Sequence, residues 1–195
     1  MDGMQWMASA MHAARSQLET ATHNLSNVSS DGFRRFASDV RMSERGLVAS
    51  ERHTFEQGAI RHTGRDLDLA IVGKGSFHVG DTHTRSGGFV RDRDGFVVDD
   101  RGRRLYGEHG PLRIPPNATV ANDGSVVVNG ETIDRIPLPS GTTIQSGARE
   151  SSNVDAVSES LAILTAQRAF ETAEKTLAAI DETRQKAANE LGRLK

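Results

Sequence analysis

An apolar stripe of helical period stands at each end of this chain, and about a hundred turn-rich residues separate the two. At the front, Met4, Met7, Met11, Ala14, Leu18, Ala21, Leu25 and Val28 recur in alternating steps of three and four, which places them along one seam of a single helix. At the back, Val154, Val157, Leu161 and Leu164 keep the same rhythm; Phe170, Ala173, Leu177 and Ile180 resume it two positions out of phase. Neither stripe can be buried within its own helix, so each needs the other or a neighbouring molecule. A helix packed on its own domain and a helix packed in a multisubunit bundle both satisfy the front stripe. The phase shift at the back argues against one long regular coiled coil and for contacts with more than one neighbour.

The boundaries of these helices have chemical signals. Ser29, Ser30, Asp31 and Gly32 supply turn chemistry after the front helix. Ser152 reads as an N-cap with Asp155 three residues on as its acidic partner, opening a helix that runs toward Leu194, where Lys186, Arg193 and Lys195 suit the negative end of the dipole.

Between the helices the period changes to that of strands. Leu67, Leu69 and Ile71 alternate with polar or small residues, and Gly73, Lys74 and Gly75 lead into Ser76–Val79 as a hairpin would. GFVRDRD at 88–94 and GFVVDDR at 95–101 form a seven-residue near-repeat, and Asn129-Gly130 between two β-rich runs is the strongest hairpin signal. Residues 33–65 fit a loop, a short helix or an extended arm equally well. The fold class expected is α+β: N- and C-terminal helices paired as a coiled-coil-like bundle, with a small all-β domain between them. The segments are 1–32 for the first helix, 33–65 for a connecting arm, 66–140 for the β domain and 141–195 for the last helix.

Charge and composition exclude more than they suggest. The 195 residues carry a net charge of -2 that is spread evenly, with no basic tail for nucleic acid or an anionic membrane. Cysteine is absent, so neither disulfides nor a thiolate metal site are available. The first 30 residues lack the pattern of a Sec signal peptide, and no run reaches the length of a membrane span.

Enzymatic motifs fail on spacing. Gly73-Lys74-Gly75-Ser76 lacks the earlier glycine and the Ser or Thr directly after lysine that a phosphate loop requires. A calcium loop around Asp92 and Asp94 would need acids where Val90 and Arg101 stand. No pair of histidines has metalloprotease spacing; His78 and His83 can meet across a turn or stand as exposed polar positions. No catalytic, cofactor or metal-binding residue is assigned, and no cofactor is expected.

Three separated blocks carry a family likeness. HNLSNVSSDGFRR at 23–35 resembles the N-terminal signature of flagellar rod and hook proteins, with Asn24, Leu25 and Asn27 matching its asparagines around an aliphatic residue and Gly32 and Phe33 its turn glycine and aromatic. DLDLAIVGKGSFHV at 66–79, followed by residues 84–107, is similar to the start of the family's β domain. ESSNVDAVSESLAILTAQRAFETAEKTLAAID at 150–181 is similar to its C-terminal signature, with Ser152, Asn153, Val154, Gln167, Arg168, Ala169 and Phe170 in matching places. His23 and Asp31 depart from the common pattern, and the connection from Ile136 to Glu150 is short.

The resemblance implies a structural subunit of the flagellar basal-body rod. Its terminal helices would line a hollow axial shaft, and its β domain would face outward. Partners would be further copies of itself, other rod and hook axial proteins and, during export without a cleaved signal, the flagellar secretion apparatus; nucleic acid and membrane insertion are not expected. The location implied is the periplasmic rod. The stripe residues Met4, Met7, Met11, Leu18, Leu25, Val28, Val154, Val157, Leu161, Leu164, Phe170, Leu177 and Ile180 would form the assembly interface. Shortness and the stretch at 107–126 favour the proximal rod, with a distal rod or hook-type subunit as alternatives. Two other classes stand beside this reading: an enzyme with its site on the β domain, and a non-flagellar secreted module that self-associates through its helices.

Overall fold

The computed structural model describes residues 3–44 and 46–193. The chain runs through α1 (Gly3–Ser26), β1 (Phe36–Ser43), β2 (Gly46–His53), β3 (Ile60–His62), β4 (Leu69–Val72), β5 (Phe77–Val79), β6 (Thr82–Thr84), β7 (Val90–Arg91) and β8 (Val97–Val98). It continues with β9 (Tyr106–Gly107), β10 (Gly110–Pro111), β11 (Thr119–Val120), β12 (Ser125–Val128), β13 (Glu131–Arg135), β14 (Thr143–Ser146), β15 (Ala148–Glu150) and α2 (Ala156–Arg193). These elements form two compact units. One contains both helices and Arg35–Thr54; the other contains Asn27–Arg34 and Phe55–Asn153.

In the helical unit, α1 and α2 run antiparallel. Asn24 at the end of α1 meets Glu159 at the start of α2, and a Cβ added at Gly3 would stand 3.6 Å from Ile180. The β1–β2 hairpin, within the stretch the sequence left open, lies lengthwise along α1. Phe36 is bonded to Asn24 at one end, Glu51 to Thr20 further along, and the Leu47 N–H to the Ser9 hydroxyl near the tip. A two-stranded hairpin is marginal alone; here its inner face, with Phe36, Val40, Leu47 and Ala49 half-buried, is completed by the helix. The outer face is polar apart from Ala37 and the exposed Val48, with Arg52 bonded to Asp39 at 3.0 Å.

The second unit is assembled from short pairs: β3 with β15, β4 with β14, β5 with β6, β7 with β8, β9 with β10, and β11–β12–β13. Their inward residues make one core that includes Leu69, Ile71, Phe77, Phe89, Leu105, Leu112, Val126 and Ile136. Phe77 and Phe89 meet edge to face at 5.2 Å, a favoured aromatic geometry. Asn129 and Gly130, at φ 51° and 90°, close the expected two-residue hairpin between β12 and β13. The seven-residue repeat reappears as two matching turns: Asp92 Oδ1 accepts the N–H groups of Asp94 and Phe96, and Asp99 Oδ1 those of Arg101 and Arg103.

Three expectations need correction. Gly73–Gly75 does not close a hairpin: β4 pairs with β14 and β5 with β6, because the backbone carbonyls of this loop are turned toward a buried arginine. The cap of α2 is Asp155 rather than Ser152, since Asp155 Oδ1 accepts the Ser158 N–H at 2.7 Å, and this bond holds the carboxyl below its ordinary pKa. The front helix ends at Ser26, two residues before Val28, where the Asn27 carbonyl accepts the Ser30 N–H in a tight turn. Leu194 and Lys195 lie outside the described residues.

Candidate assembly interface

The signature asparagine Asn24 is fully buried, and its amide works as a piece of strand. Its Oδ1 accepts the Phe36 N–H at 2.9 Å and its Nδ2 donates to the Phe36 carbonyl at 2.8 Å, so a side chain at the last turn of α1 pairs with the first residue of β1. The same Nδ2 donates to Glu159 Oε2 at 3.2 Å, and Arg35 donates to Glu159 Oε1. Three separate segments are thus fixed at one point. Leucine could fill the volume of Asn24 but would give up both bonds to the Phe36 peptide, at about 0.5–1.5 kcal/mol each.

The α2 face turned inward begins with that acid. Glu159, Ile163, Ala166, Phe170, Ala173, Leu177 and Ile180 keep an unbroken three-four rhythm and are buried or half-buried. Asn24 lies 21 residues after Gly3, and Ile180 lies 21 residues after Glu159, so α1 and α2 stay in step between the two contacts. Small residues are buried on each helix, Ala14 and Ala21 on α1 and Ala166 and Ala173 on α2, and small contact side chains allow close axes.

Val157, Leu161 and Leu164 form a different row. Val157 is nine residues from Ala166, about 180° round the helix, and the three side chains are 69%, 60% and 52% exposed. The phase shift in the sequence therefore corresponds to two sides of one helix. Leu18 and Leu25 are half-buried on α1, as are Met4, Met7 and Met11, while Phe170, Leu177 and Ile180 belong to the inward row. Val154 is buried two residues before α2, and Val28 is half-buried in the turn after α1. Gln167 and Arg168 are exposed on α2.

The remaining signature residues lie in the strand-rich unit. Gly32 has φ 69° and donates its N–H to the Glu150 carbonyl at 2.7 Å; a Cβ here would stand 2.3 Å from the Arg85 backbone, so both conformation and space require glycine. The Phe33 carbonyl accepts the Asn153 N–H at 3.3 Å, and the Asn153 amide donates to the Glu56 carbonyl at 2.9 Å. Asn27 Oδ1 takes the Ser30 hydroxyl, and Ser152 is half-buried.

Beside Gly32 is a buried ion pair that sequence reasoning missed. The Arg85 side chain is 4% exposed and Glu150 2%. Arg85 Nε donates to Glu150 Oε2 at 2.7 Å, Nη1 to the carbonyls of Gly73 and Gly75 at 2.9 Å, and Nη2 to that of Ile71 at 2.9 Å. The Gly-Lys-Gly loop thus offers carbonyls to a cation, the opposite polarity to a phosphate-binding loop. Burial and neighbouring Arg85 lower the Arg34 pKa, against the pull of Glu150. Nearby, Arg149 bridges Asp31 at 3.0 Å and Asp68 at 2.8 Å. Burial pushes the Asp68 carboxyl upward, but the hydrogen bond and charge of Arg149 leave it below its ordinary pKa. Glu159 and Arg35 were also missed; an acid in an apolar helical register was the one available signal, at Glu159.

This geometry joins rigid segments and leaves an apolar row uncovered. Among the described residues no group of three or more metal-ligating side chains converges, and no helix is long and apolar enough to cross a membrane.

Residues 145–191 match the family model for the C-terminal region of flagellar basal body rod FlgEFG proteins. The flagellar basal-body rod protein FlgF of Caulobacter vibrioides is 27% identical over 229 residues, covering 92% of this chain and 94% of that protein. Because that alignment is longer than the chain, the relative carries residues absent here. The rod protein FlgG of Bacillus subtilis is 29% identical over 178 residues, 67% of each chain. The flagellar hook protein FlgE of Brucella suis is 34% identical over 146 residues, covering 67% of this chain but 37% of the hook protein. Matched across its last helix by the family model, and along most of its length by two rod proteins, the chain is similar to the flagellar basal-body rod and hook proteins.

Proposed function

We propose that this chain is a structural subunit of the flagellar rod, of the proximal type, which builds a hollow axial shaft through its terminal helices. The observation that carries the reading is the double character of α2: one apolar row is covered by the chain's own α1, and Val157, Leu161 and Leu164 are left for neighbours. Burial of each such side chain contributes roughly 1.5–3 kcal/mol, repeated at every subunit. The helices pair in coiled-coil fashion, and the stripes of α1 and α2 form the contacts with further copies and other axial proteins.

The subunit reaches the periplasm through the flagellar secretion apparatus and has no catalytic residue. The absence of cysteine suits transit as an unfolded chain, which no disulfide would lock. The proximal assignment is supported by the short connection from Ile136 to Glu150 and the stretch at 107–126. A hook-type subunit is the weaker reading, since the hook relative is matched over 37% of its length.

Complementation of a strain lacking this gene is the test. Leu161→Asp and Leu164→Asp should yield folded, exported protein of unchanged melting temperature that builds no rod and restores no swimming. Normal swimming by both variants would overturn the assembly role. Labelled subunits at the distal end of purified rods would overturn the proximal assignment alone.

A further inference from the structure

Three aromatic side chains stack in a row across neighbouring strands of the second unit. Tyr106 on β9 lies against His78 on β5 with ring centres 4.7 Å apart, and His78 lies against His83 on β6 at 5.1 Å. His78 and His83 are directly opposite in the register, and Val79 bridges Leu105, so β5 runs between β6 and β9. Only Gly80 and Asp81 join β5 to β6, so Val79 and Thr82 form the closing hydrogen-bonded pair of the hairpin. The next pair, His78 and His83, is then of the non-hydrogen-bonded kind, whose side chains stand closest. His83 is exposed and His78 half-buried, and among the described residues no hydrogen bond occupies a ring nitrogen of either.

We propose that His78 and His83 form a two-imidazole site for a divalent transition-metal cation, with Cu²⁺ the preferred ion. With metal–nitrogen bonds of about 2.0–2.1 Å, two imidazoles on one ion have ring centres roughly 4.5–5 Å apart, and the pair already stands at 5.1 Å. Rotation of each ring about its Cβ–Cγ bond is the movement required, since the rings now lie 22° from parallel. Imidazole is a borderline donor that suits copper, nickel and zinc, and affinity at an unconstrained site rises toward copper. Tyr106 packs along His78 and limits the freedom of its ring. Water fills the remaining positions, which gives the site fast exchange and modest affinity.

The test uses the full-length chain freed of metal by a chelator. Titration with Cu²⁺ should saturate at one ion in this site, with electron paramagnetic resonance showing nitrogen couplings, and Ni²⁺ and Zn²⁺ should bind more weakly. His78→Ala and His83→Ala should each lower Cu²⁺ affinity by about tenfold or more, while His109→Ala leaves it unchanged. On the wild-type protein, substoichiometric Cu²⁺ should broaden the ring proton resonances of His78 and His83 before those of the other histidines, a readout that needs no variant to fold. Equal broadening of all histidines, wild-type affinity in either single variant, or no binding by the wild-type chain would each overturn the proposal.

Discussion

Asn24 and Glu159, 135 residues apart in sequence, share a 3.2 Å hydrogen bond inside the helical unit, and neither is more than 1% exposed. The bond ties the end of one terminal helix to the start of the other. Replacing Asn24 by Ala removes this bond and both bonds to the Phe36 peptide, and should cost about 2–3 kcal/mol. Urea unfolding followed by circular dichroism measures the loss. Glu159→Gln keeps the shape while discarding the charge toward Arg35, so it should cost less than Glu159→Ala.

Arg85 should tolerate no conservative exchange. Lysine cannot reproduce a planar fork that serves Glu150 and three carbonyls at once. Arg85→Ala leaves a carboxylate buried without its charge partner, a loss of about 3–5 kcal/mol. Arg85→Met combined with Glu150→Leu should recover part of that loss, which a double-mutant cycle in chemical unfolding will read.

At Gly32, alanine meets both a positive φ and the Arg85 backbone. Gly32→Ala should destabilise the strand-rich unit by more than about 2 kcal/mol. Amide exchange at Ile71, Phe77 and Phe89 should accelerate accordingly, while a Gly102→Ala control, whose added Cβ meets nothing within 4 Å, should show backbone strain alone.

The exposed His109 pairs with the half-buried Asp134 at 2.9 Å. The hydrogen bond from Asp134, with its charge, raises the His109 pKa above 6.5, so this contribution to stability is complete below the unfolded-state value and fades as pH rises through the folded one. For Asp134, burial pushes the carboxyl upward but the His109 hydrogen bond and backbone N–H groups prevail and lower its pKa. Its contribution is therefore present above 3.8 and lost as pH falls through the folded value. The pair is strongest between those limits. In an NMR titration, Asp134→Asn should shift the His109 midpoint downward, and an unchanged midpoint would refute the coupling.

The readable parts of the sequence were those where chemistry is local. Asn129-Gly130 specifies a turn by its own backbone preferences, and the helical stripes specify faces whatever they meet. The β1–β2 hairpin was not readable: its inner face mixes Phe36 and Val40 with Ser38, Glu51 and His53, and Glu51 finds its partner, Thr20, only on α1. Strand pairing failed at Gly73–Gly75 for a similar reason, since the agent that bends the loop, Arg85, is ten or more residues away. Ser152 is a good capping residue placed three positions too early; only the observed bond to Asp155 decides between them.

The helical unit is sewn from three separate stretches of the chain, and the strand-rich unit is completed before the third of them, which carries α2. Any process that delivers this protein from its N-terminal side onward releases α2 after α1 and all the strands. Until then Asn24 has no Glu159 to meet, and the front helix has no long partner in its own chain. Closure of the helical unit therefore waits for α2, a clasp shut after the strand-rich unit is complete. The order of elements along the chain thus sets how long the face of α1 that α2 covers stays open.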